Sequence, residues 1–83
     1  MAATIQQTAA SDDACFEYAV RPCCGKWEIR IGDSGTRFVY ATREDAALVA
    51  QGAARLHWAT RREPCGATLQ EDDHVRTLVR FGH

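Results

Sequence analysis

Eighty-three residues, of which 46% are hydrophobic and 25% charged, suffice for one core and exclude two domains. The formal net charge of -1 gives no field that would by itself recruit nucleic acid, an anionic membrane surface or an acidic substrate. No stretch of about 20 apolar residues and no basic, apolar leader is found, so a cytoplasmic protein with reduced cysteines is expected.

Residues 1–13 are small and polar, with Ile5 the one bulky apolar residue after Met1, and are expected to form a disordered N-terminal tail. Residues 14–83 are expected to form a single α+β domain. Phe16, Tyr18 and Val20 alternate with Glu17, Ala19 and Arg21, the period of a half-buried strand that Pro22 should end. Pro22-Cys23-Cys24-Gly25 reads as a turn. Trp27, Ile29 and Ile31 then oppose Lys26, Glu28 and Arg30 in a second strand, and Gly32-Asp33-Ser34-Gly35 forms a hairpin loop. Thr36 to Tyr40 completes three strands on short loops, an antiparallel meander.

Thr42 followed by Glu44 and Asp45 marks a helix start, with a side-chain cap and acids that complement the dipole. The helix should run to about Thr60, with Ala46, Val49, Ala50, Ala53, Leu56 and His57 on its buried face and Glu44, Gln51 and Arg55 opposite. Its alanines suit packing against large sheet residues. Arg61 to Pro64 reads as a basic linker and Cys65 to Leu69 as a fourth strand. Beyond it, Val75, Leu78 and Val79 align as a helix behind a cap at Asp72 or Asp73, with Gly82 to stop it; the competing strand would align Val75, Thr77, Val79 and Phe81. The punctuation at both ends favours the helix. The expected fold is therefore a two-layer β-β-β-α-β domain with a short C-terminal helix.

The runs Tyr18-Ala19-Val20-Arg21-Pro22, Gly25-Lys26-Trp27-Glu28-Ile29 and Phe38-x-Tyr40-Ala41-Thr42-Arg43-Glu44-Asp45-Ala46, with the alanine-rich helix, resemble short bacterial proteins grouped as a domain of unknown function. The resemblance spans about Phe16 to Leu69 and implies a sheet-plus-helix fold. Its markers are a turn glycine, a core tryptophan and a helix cap, so it implies no activity. The cysteine pair and the longer C-terminus depart from the pattern.

Four cysteines and three histidines raise the question of zinc. Adjacent Cys23 and Cys24 are not expected to point at one ion, no Cys-x-x-Cys occurs, and Cys15 and Cys65 are isolated, so no metal or cofactor is assigned. Thiol chemistry at Cys23 or Cys24, with His57 or His74 as base and Arg21 and Lys26 nearby, lacks an oxyanion hole, a pocket and an orienting acid. No catalytic residue is assigned and the chain is read as a non-enzyme. Glu71, Asp72 and Asp73 lack the spacing of a calcium loop. Arg30, Arg55, Arg61 and Arg62 are candidate nucleic-acid contacts, diluted by the surrounding acids. Leu48, in the polar helix face, and Trp58, at the edge of the apolar arc, are the candidate interaction surface. The leading expectation is a protein-interaction or self-association module, with nucleic-acid binding second and thiol chemistry third; the partner is this chain itself or another protein, with no membrane involved.

Overall fold

The computed structural model describes residues 15–82, so the expected tail lies outside the described residues. Five strands and one helix follow in the order β1 (Phe16–Cys23), β2 (Lys26–Ile31), β3 (Arg37–Tyr40), α1 (Arg43–Arg61), β4 (Cys65–Glu71) and β5 (His74–Phe81). The strands form one sheet in the order β3-β2-β1-β4-β5, and α1 covers one of its faces. The expected α+β class and the β1-β2-β3 meander are present. The sheet as a whole is mixed, because β1 and β4 pair in parallel, with Phe16 opposite Cys65 and Val20 opposite Leu69.

Each strand of the meander follows from its alternation. Val20 and Ile29 are buried beneath α1, together with Cys65, Ala67 and Leu69 from β4. Pro22 does not end β1; it pairs with Trp27, and pairing to β4 stops at Val20. A proline lacking its N–H is tolerated where no neighbouring strand needs that donor.

The expected C-terminal helix is instead β5, an antiparallel partner of β4. Asp72 and Asp73 do not cap a helix; they are the two-residue turn between the strands, and Asp72 takes φ +37°. A β-bulge at Ala67/Thr68 changes the register: Ala67 pairs with Val79 and Thr68 with Thr77, leaving Leu78 as the extra residue. Leu78 and Val79 therefore both pack against the core. Gly82, at φ +82°, ends the strand where a Cβ would stand 2.9 Å from both Pro64 Cα and the Trp58 ring.

The helix begins as the sequence indicates. Thr42 is the N-cap, its hydroxyl accepting from the Asp45 backbone N–H at 3.1 Å. Its far end is closed by Arg62 in the left-handed conformation, with the Arg62 N–H donating to the Trp58 carbonyl. The buried face differs from the expected one: Ala46, Ala50, Ala54 and His57 are buried, whereas Val49 and Leu56 are exposed. Three alanines spaced four apart let the helix axis approach a sheet whose own bulky residues fill the interface. No helix among the described residues is long and apolar enough to cross a membrane.

Candidate functional site

The rotation of α1 about its axis leaves large apolar side chains on its outward face. Residues four apart on a helix lie in line, so Leu48, Gly52 and Leu56 form a row on the outward face, with Val49 beside it. Leu48 is 71% exposed, Leu56 63% and Val49 41%. In the centre of the row, a Cβ added at Gly52 would meet nothing within 4 Å. A mid-helix glycine costs about 1 kcal/mol relative to alanine, and no contact among the described residues requires it. Of the two expected interaction residues, Leu48 stands in this row. Trp58 does not: it packs against the core, its ring beneath Gly82 and within 5.0 Å of the Arg62 guanidinium.

At the opposite side of α1, His57 is the centre of a buried hydrogen-bonded chain. Its Nδ1 lies 3.1 Å from the Tyr18 hydroxyl and its Nε2 3.1 Å from Glu63 Oε1. Phe16 stacks on the imidazole at 4.7 Å between ring centroids. The Glu63 carboxylate accepts only, so Nε2 carries a proton and Nδ1 is left to accept from Tyr18. Burial pushes the Tyr18 phenol up from its ordinary value, with Cys65 adding to the effect and Arg61 opposing it. Neither Tyr18 nor Glu63 was singled out by the sequence, in which they lie 39 and 6 positions from His57. Among the described residues no buried side-chain nitrogen or oxygen lacks a partner, and the Tyr18–His57–Glu63 contacts describe a structural tie between β1, α1 and the linker.

The cysteines occupy different environments. Cys65 is buried, its Sγ donating to the Ala54 carbonyl at 3.2 Å; burial chiefly, and then Cys15, push its thiol up. Cys15 is also raised by burial, an effect the Arg80 charge opposes. Cys23 and Cys24, adjacent in sequence, hold their sulfurs 3.9 Å apart, with Cys23 Sγ donating to Cys24 Sγ. The hydrogen bond to Cys24 is the main cause raising the Cys23 thiol. His57 and His74 are not brought to this pair, since His57 engages Tyr18 and Glu63, and His74 engages Glu71 and Asp73. Glu71 also accepts two hydrogen bonds from Arg76, which hold its carboxyl below the usual range. No group of three or more His, Cys, Asp or Glu converges among the described residues.

The four arginines proposed as a stripe are divided. Arg30 alternates with Ile29 and Ile31 and so lies on the open face of the sheet, while Arg55 and Arg61 belong to α1 and Arg62 is its C-cap. On that open face Glu28, only 4% exposed, is held by Arg21 at 3.5 Å and Arg37 at 3.1 Å. Arg80 similarly reaches Glu17 at 3.4 Å.

Set against known protein families, curated proteins and solved structures, the chain matches none.

Proposed function

We propose that this chain is a non-enzymatic self-association module, and that its partner is a second copy docked helix against helix. The observation that carries this reading is Gly52 in the centre of the exposed row, with open space above it. A two-fold axis at Gly52 sets two α1 helices antiparallel, with the two glycines at the crossing. Leu48 and Leu56 are each four residues from Gly52, so Leu48 of one copy meets Leu56 of the other: the row is self-complementary, as a two-fold interface must be. The same arrangement turns the acidic Glu44–Asp45 end of one helix toward the Arg61–Arg62 end of its partner and opposes the two helix dipoles.

Burial of a leucine side chain contributes about 1.5–3 kcal/mol, so the four leucines of a pair supply roughly 6–12 kcal/mol. Association costs about 4–15 kcal/mol. The pair is accordingly weak and concentration-dependent. Sedimentation across a wide concentration series tests it: wild type shifts from monomer to dimer, while Leu48→Glu and Leu56→Glu remain monomeric and folded. A wild type that stays monomeric throughout, or a dimer indifferent to both substitutions, overturns the reading.

A second reading rests on a different observation. Arg30 and Arg37 are register partners across β2 and β3, and like charges directly opposite each other destabilise a sheet. Glu28 already pairs with Arg37, so Arg30 is the guanidinium of this pair that a polyanion on the open face, nucleic acid being the obvious one, would engage. Salt-dependent retention of a single-stranded oligonucleotide by nuclease-treated protein, lost in Arg30→Ala, supports it; equal retention by the variant removes it.

A further inference from the structure

The cysteine pair at the first hairpin has no part in either reading. Cys24 and Gly25 are the central residues of a two-residue turn between Cys23 and Lys26, at φ +53° and +81°. Positive φ at both positions is the type I′ hairpin, for which Asn-Gly is the favoured pair. A cysteine in the left-handed region is uncommon. Yet this strained placement turns the Cys24 sulfur back to within 3.9 Å of Cys23 Sγ, at an exposed tip.

That separation is informative. With metal–sulfur bonds of about 2.3 Å, two sulfurs 3.9 Å apart subtend roughly 115° at one shared ion. This lies between the tetrahedral and the trigonal angle and well short of linear, so the choice of ion rests on the number of ligands present. Soft thiolates select soft cations, copper(I) among them, whereas a closed zinc site asks for four protein ligands. Among the described residues no third histidine, cysteine or carboxylate joins the pair. We infer that Cys23 and Cys24 form a surface dithiolate site for a single copper(I) ion, whose third position is open to an external thiol.

Binding is a ligand exchange without oxidation or reduction. Two S–H bonds break, two Cu–S bonds form, and two protons pass to solvent, leaving a bis-thiolate complex of charge -1. Lys26 pairs with Cys23 across the ladder, while the Glu28 carboxylate acts on Cys23 against the smaller effect of Arg37, so the charges beside the complex are of both signs. The open third position makes the ion exchangeable with a thiol-bearing donor or acceptor.

Anaerobic titration of the full chain against the copper(I)–bicinchoninate complex tests the site. Wild type should withdraw one equivalent of copper and develop thiolate-to-copper absorption in the ultraviolet. Cys24→Asn restores the favoured Asn-Gly turn, so it keeps the fold while retention should fall at least tenfold; Cys23→Ser should behave likewise, and Cys15→Ser should match wild type. Equal copper retention by Cys24→Asn, or no withdrawal by wild type, overturns the site. A parallel titration with zinc(II) and a chromophoric zinc indicator checks the ion: zinc held more tightly than copper(I) by wild type overturns the copper assignment.

Discussion

The Tyr18 hydroxyl stands 3.1 Å from His57 Nδ1, and this contact joins the second residue core-ward along β1 to the last turns of α1. Nε2 is committed to Glu63, and among the described residues Tyr18 is the one partner of Nδ1. Tyr18→Phe removes the donor and leaves a buried ring nitrogen unsatisfied, a loss of about 1–3 kcal/mol. Urea unfolding should show a lower midpoint with an unchanged slope. An unchanged midpoint would mean that the chain of bonds contributes nothing to stability.

Glu28 makes a different kind of tie. Two arginines cover one carboxylate, and both remain partly exposed, so each can compensate for loss of the other. Arg21→Ala and Arg37→Ala should each cost no more than about 1 kcal/mol, because the remaining guanidinium still pairs the buried charge. The double variant strands that charge and should cost roughly 3 kcal/mol. The measurement is a double-mutant cycle of unfolding free energies, and simple additivity would count against shared coverage.

How far the sequence discloses this fold depends on whether a local pattern reports the fold directly. Alternation at Phe16, Tyr18 and Val20 and the Thr42–Asp45 cap are local, and both reappear in the structure. The strand β5 is concealed by its bulge: with Leu78 inserted, Val75 and Val79 no longer share one face, and the surviving Val75, Leu78, Val79 spacing imitates a helix. The face of α1 is ambiguous for another reason. Apolar residues of all sizes occur around most of its circumference, so apolar periodicity cannot distinguish Ala54, which is buried, from Val49 and Leu56, which are not. The parallel pairing of β1 with β4, and the meeting of Tyr18 with His57, depend on chain closure over tens of residues, which no short-range pattern encodes.

Cys65 makes stability depend on pH. Burial raises its thiol above the ordinary value, so the folded state holds that proton more tightly than the unfolded state does. The resulting stability is fully present below the unfolded thiol value, about 8.5, and is lost as pH rises through the folded value. Tyr18, also raised, extends the loss above about pH 10. Denaturant midpoints should begin to fall as pH rises through about 8.5, and Cys65→Ala should flatten the earlier part of that fall. An identical fall in the variant would assign it to other groups.

Gly52 offers a test in which fold and assembly move in opposite directions. Within one copy, a methyl group at this position enters open space on a helix, so Gly52→Ala should stabilise the monomer by about 0.5–1 kcal/mol. At a helix crossing the same methyl forces the two backbones apart and loosens the packing of Leu48 against Leu56 across the two-fold axis. Unfolding measured at low protein concentration should therefore show a gain, while sedimentation at high concentration shows a weaker dimer. A substitution that raises stability and leaves association untouched would place the contact away from Gly52. One that strengthens both would mean that the two helices do not approach closely there, and the row would lose the reason given for its central glycine.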